Sequence, residues 1–237
     1  MKVRIKFAKS GVMKYVGHLD IMRYFQKAIR RSGLPIKYSE GFNPHQIMSF
    51  AAPLGVGITS EGEYMDIELK EEIPCREIFD RLQNTMVEGM DICKVTYLPE
   101  QSKNAMSSLA AAKYVLTYKH PEQFSYTMDA LVALKNTFFH DADTIPITKK
   151  TKKGERQLDL KPLVYDFDIQ KEGDAIQFYL FVSTGSVDNI KPELVLKHFF
   201  ASIDCDIADH AFFIHRIDMY AKNEEGFVSL GDVGYEK

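Results

Sequence analysis

The sequence predicts an α+β protein of two tandem ferredoxin-like units, each running β-α-β-β-α-β. Three observations carry this. Residues 2–8 alternate polar and apolar, as a half-buried strand does. Residues 18–32 place Ile21, Phe25, Ala28 and Ile29 at i, i+4, i+7 and i+8, one apolar helix face. A polar, small-residue stretch at 99–108 separates two runs of the same element order. The expected boundaries are a first unit at 1–99, a second at 109–222 and a polar tail at 223–237 that frays.

In the first unit, residues 13–16 read as a short extended piece after the opening strand. Asp20 falls in the first turn of the 18–32 helix, where the helix dipole favours an acid, and Gly33 with Pro35 stops it. Residues 36–38 and 46–52 are expected strands around a turn at Gly41-Phe42-Asn43-Pro44. The glycine-bearing stretch 54–62 reads as a connection, 63–69 as a strand, 74–85 as a helix and 91–98 as the closing strand. In the second unit, strands are expected at 113–118, 162–169, 175–183 and 212–220, an extended basic piece at 144–151, and helices at 121–135 and 191–201. Element order alone supports the tandem reading; no residue-level repeat is present.

Charge is distributed unevenly. The first fifty residues hold ten bases against Asp20 and Glu40, an excess of +8 in a chain whose total is −3. Residues 61–100 carry −7, residues 147–161 carry +4 and residues 162–237 carry −8. Two basic islands in an acidic background point to a polyanion partner, and RNA comes before a small molecule. No apolar run approaches the roughly 18–20 residues of a membrane span, and the N-terminus lacks a signal peptide's apolar core, so a cytoplasmic location is expected. Three scattered cysteines exclude a disulfide framework and a cluster-binding motif within this chain. No P-loop, G-x-G-x-x-G or G-x-S-x-G is present, and neither a metal nor a cofactor is expected.

The candidate nucleic-acid residues form two groups. Arg23, Lys27, Arg30 and Arg31 repeat at helical spacing away from the apolar face, where guanidinium forks and ammonium charges can follow a phosphate backbone. Tyr38, Phe42, Asn43 and His45 follow in one connection, offering rings to stack on bases and polar groups to read their edges. The second group is the basic hairpin with Lys149, Lys150, Lys152, Lys153 and Arg156 around Gly154, suited to clamping a backbone without reading sequence. Catalytic candidates are His18, Asp20 and His45, with no recognised motif around them.

Gly17-His18-Leu19-Asp20, Arg30-Arg31-Ser32-Gly33-Leu34-Pro35, Tyr38-Ser39-Glu40-Gly41-Phe42-Asn43-Pro44-His45 and Glu63-Tyr64-Met65-Asp66 resemble a bacterial family, the radical-SAM-linked domain of unknown function. Lys152-Lys153-Gly154-Glu155-Arg156 with Asp159 and Pro162 is similar to its second signature. Gly17 departs, standing where serine is more common in that family. The resemblance implies an association with a radical SAM protein, fused or encoded nearby, and no assigned activity. The expected function is an RNA-binding module that presents a substrate, a tRNA or an rRNA, to a separate radical SAM enzyme. One alternative is a metal-independent endoribonuclease using His18, Tyr38 and His45; another is a protein-interaction adaptor docking through the acidic 61–100 segment.

Overall fold

In a computed structural model of the chain, residues 1–120, 126–151, 154–185, 188–205, 207–208 and 210–236 are described. The fold is α+β: a mixed nine-stranded sheet, a separate two-stranded hairpin and five α-helices among the described residues. The chain divides into two compact units, one of residues 1–111 with 216–237, the other of residues 112–215.

The first unit opens with β1 (Lys2–Lys9). Its alternation puts Val3, Ile5 and Phe7, all at most 2% exposed, into one core. The expected extended piece at 13–16 is instead a short 3-10 turn, Gly11–Tyr15. Gly11 at φ +53° reverses the chain where β1 ends, which only a residue without Cβ does readily. α1 (His18–Arg31) buries the expected Ile21, Phe25, Ala28 and Ile29. Ser32 Oγ caps the carbonyl of Ile29 at 2.8 Å, and Gly33 follows at φ +68°. The strands expected at 36–38 and 46–52 shrink to bridges at Ile36–Leu69 and Tyr38–Gln46 and to β2 (Met48–Phe50). β3 (Thr59–Glu68) begins earlier than expected and takes in part of the glycine-bearing connection. α2 (Cys75–Gln83) and β4 (Met90–Leu98) complete this run. β1 pairs antiparallel with both β3 and β4, and β2 antiparallel with β3. The rings of Phe7, Phe25 and Phe50 meet under α1 at 4.7–6.0 Å between centroids.

The 99–108 stretch, expected as a linker, contains α3 (Ala105–Ser108), capped by Asn104. Ala105 is fully buried and its N–H donates to Asp66 at 2.7 Å, so small size here serves close packing rather than flexibility. The tail expected to fray is held as well. β10 (Phe212–Asn223) pairs antiparallel with β11 (Gly226–Ser229), and Tyr235 bridges Tyr97. Asp218 accepts hydrogen bonds from Tyr64 and from Ser229 Oγ, and lies 3.3 Å from Lys6 Nζ.

β5 (Leu109–Tyr118), whose first three residues belong to the first unit, leads to α4 (Met128–Lys135), which runs on into a wider π turn at Asn136–His140. Residues 121–125 of the expected helix lie outside the described residues. β6 (Pro146–Thr151) and β7 (Gly154–Asp159) form the two-stranded hairpin. β8 (Val164–Glu172) and β9 (Ala175–Ser183) form a second hairpin, turned at Gly173 with φ +59°. α5 (Pro192–Ala201) brings Phe199 and Phe200 against Phe167 and Phe178 at 5.4 and 5.5 Å.

Candidate nucleic-acid interface

The outer face of α1 carries Arg23, Lys27, Arg30 and Arg31, all exposed, opposite the face that fills the core. Arg23 pairs with Asp20 one turn earlier at 3.3 Å, and Arg31 donates to the Thr85 carbonyl at 3.1 Å. Arg30 Nε donates to the Gln26 carbonyl at 3.3 Å. Gln46 Nε2 donates to that same carbonyl at 3.2 Å. The connection holding Tyr38, Phe42, Asn43 and His45 is thereby fastened to the middle of the basic helix.

Within that connection, Ser39 organises the turn. Its hydroxyl hydrogen-bonds His45 Nδ1 at 2.8 Å and accepts from the His45 N–H at 3.1 Å, while its own N–H donates to the His45 carbonyl at 2.8 Å. Gly41 at φ +114° lets the chain turn there. Asn43 is exposed, Tyr38 is 40% exposed and Phe42 is wholly so, at 105%. Phe42 therefore does not plug the core. A bare aromatic ring on a pinned turn beside a cationic helix face suits stacking on an unpaired base.

Part of the basic island is not on this surface. Arg4 and Lys9 are 1% and 2% exposed. Arg4 is held by Asp66 through two bonds, of 2.8 and 2.9 Å. Lys9 Nζ donates to the Val16 carbonyl at 2.8 Å, in a region that also holds buried Glu63, itself paired with Arg216 at 3.0 Å. Burial lowers the Lys9 pKa against the opposing pull of Glu63, and burial raises that of Glu63 despite Arg216. Sequence reasoning missed these acids. The available signal was a strand carrying four bases among apolar residues, since any base of such a strand that is buried needs a carboxylate to answer it.

His18 sits in the first turn of α1 with its ring edge-on to Phe50 at 5.6 Å, lining a small cavity with Lys9 and Glu63. His45 lines a different cavity of about 490 Å³, with Ser49, Asp66 and Asn104 among its walls. The catalytic candidates are thus divided: His18 inward, Asp20 on the helix surface with Arg23, His45 on the loop. Burial first, and Lys9 second, lower the His18 pKa below the usual 6.5. The fold favours the neutral ring, so that contribution to stability is complete above pH ~6.5 and is lost as pH falls through the lowered value. Urea midpoints of wild type and His18→Gln, measured across this window, are expected to converge as the pH is lowered.

In the hairpin, the backbone register sets position Lys149 opposite Arg156 and Lys150 opposite Glu155, and Gly154 has φ +122°. Lys152 and Lys153 lie outside the described residues. No helix among the described residues is long and apolar enough to cross a membrane.

Fold and surface together define an α+β protein that exposes a cationic helix face beside a pinned aromatic loop. The chain belongs to a bacterial family described as "Uncharacterized protein conserved in bacteria (DUF2344)", which its sequence matches over residues 2–192. No curated protein matches it by sequence. Among solved structures, one similar chain is described under "Crystal Structure of a Cbf5-Nop10-Gar1 Complex", with a TM-score of 0.49 and 12% identity. That likeness covers 92% of this chain and 48% of the other, so this chain spans about half the length of the one it matches.

Proposed function

We propose that the protein is an RNA-binding module that presents its RNA to a separate radical SAM enzyme. The observation that carries the RNA reading is the fastening of the Tyr38–Gln46 loop, with its bare Phe42 ring, at Gln26 to the helix that exposes four cations. Cations hold phosphates without reading sequence, and an exposed ring stacks on a splayed base. In this reading the β6–β7 hairpin is a second backbone clamp. The order β4-β1-β3-β2 in the first unit, antiparallel throughout with α1 and α2 as crossovers, supports a ferredoxin-like unit. The radical SAM partner rests on the resemblance of the Gly17–Asp20, Tyr38–His45 and Glu63–Asp66 motifs.

The test is fluorescence anisotropy with labelled tRNA and rRNA fragments across a salt series. Wild type is expected to bind at low salt with a steep loss as salt rises. An Arg23→Gln, Lys27→Gln, Arg30→Gln triple variant is expected to bind at least tenfold more weakly. Its log–log salt slope should be shallower by about 0.7 for each single-strand phosphate contact removed. Phe42→Ala is expected to cost roughly tenfold on single-stranded RNA. Unchanged affinity in the triple variant defeats the reading.

A further inference from the structure

We infer that the 490 Å³ cavity of the first unit receives one nucleotide of a single-stranded RNA, with an amino-bearing base set against Asp66. This rests on the RNA reading above and names what the same surface selects. The volume falls within the range of about 300–1,000 Å³ typical of small-molecule sites. The walls are mixed in the way a base and its sugar require. Met48 and Leu98 offer apolar surface for a ring, while Ser49, Asn104 and Asp66 offer polar groups for its edge.

Asp66 gives the site its preference. It is 8% exposed and is fixed in place by Arg4 Nε at 2.8 Å, Arg4 Nη2 at 2.9 Å and the Ala105 N–H at 2.7 Å. A carboxylate has about four acceptor positions. These three donors leave one for a group inside the cavity, and that group must be a donor. Cytosine, adenine and guanine carry an exocyclic amino group that can donate there, whereas the one donor on uracil's pairing edge, N3–H, is flanked by two carbonyl oxygens that a carboxylate repels. Lys2, whose Nζ donates to the Glu100 carbonyl at 2.9 Å, adds a cation to the lining for a phosphate. His45 belongs both to this lining and to the loop that carries Phe42, so the same loop would serve a base stacked on that ring and a base in the cavity. A base inside a duplex cannot enter the cavity, because it must first leave its stack.

The experiment uses the full chain with five probes: CMP, UMP, a cytidine decamer, a uridine decamer and a ten-base-pair RNA duplex. Ser49→Phe fills the cavity from β2. Asn104→Asp keeps the helix cap and adds a negative charge to the cavity, and serves if the larger substitution disturbs folding. Wild type is expected to bind the cytidine decamer at least tenfold more tightly than the uridine decamer, and CMP more tightly than UMP. Ser49→Phe should lose that preference, Asn104→Asp should weaken the binding of both decamers by repelling their phosphates, and both variants should bind the duplex as wild type does. Equal binding of the two decamers by wild type, or decamer binding unaltered in both variants, overturns the cavity assignment and leaves the RNA reading standing. Binding of CMP without binding of either decamer assigns the cavity to a free nucleotide and overturns its role for RNA. Absence of binding to every probe overturns both readings.

Discussion

Asp66→Ala is expected to cost about 3–5 kcal/mol of folding free energy, because it strands the Arg4 guanidinium in the interior. Arg4 is 1% exposed, and its other described bond is to the Leu230 carbonyl at 3.2 Å. The Ala105 N–H loses its acceptor in the same substitution. Set against total stabilities of about 5–15 kcal/mol for single domains, a loss of this size leaves little margin. Replacing both partners gives a different result. An Arg4→Met, Asp66→Leu double variant removes both buried charges and is expected to recover most of the loss. Urea unfolding of the two single variants and the double supplies the coupling energy directly. A cost below about 1 kcal/mol for Asp66→Ala would mean that water reaches the pair, and the buried clamp would have to be abandoned.

Arg4 also marks where the sequence stops being informative. The alternation of β1 identifies two faces, and Val3, Ile5 and Phe7 are inside as the pattern implies. What period 2 does not say is whether the other face meets water. Here it meets Leu230, separated from Arg4 by 226 positions, and Asp66, separated by 62. Nothing local announces either contact. α1 is legible for the opposite reason: its apolar stripe, its first-turn acid and its Gly33 stop are all within fifteen residues of one another. Composition misleads at 99–108, where small and polar residues suggest slack. Ala105 is small because it sits against Asp66, and Asn104 is polar because it caps α3.

The candidate site divides along the same line. The four cations of α1 and the exposed position of Phe42 are readable from spacing and turn residues. The fastening of the loop is not, since it depends on the Gln46 side chain meeting a main-chain carbonyl twenty residues earlier. The cavity is less readable still. Its lining comes from β1, the loop, β2, β3, β4 and the α3 region, brought together only by strand pairing.

Phe25→Ala is expected to cost about 3–5 kcal/mol of stability while leaving RNA affinity nearly unchanged in whatever fraction stays folded. Phe25 is fully buried, with its ring 4.7 Å from that of Phe7, 5.8 Å from that of Phe50 and 5.6 Å from that of Tyr24. Deleting it opens a cavity beneath the centre of α1. Arg30 lies on the outer face of the same helix and touches none of these rings through its described hydrogen bond, which stays on α1 at Gln26. Arg30→Gln should therefore behave in the opposite sense, weakening RNA binding with a change in stability within about 0.5 kcal/mol. If the folded fraction of Phe25→Ala remains above about nine-tenths, its apparent affinity falls by that small factor alone. The two substitutions separate what the helix packs against from what it presents. Urea unfolding and RNA anisotropy on both variants check this. A large affinity loss in well-folded Phe25→Ala would place the binding determinant in the core-facing side of α1 and not in its cations.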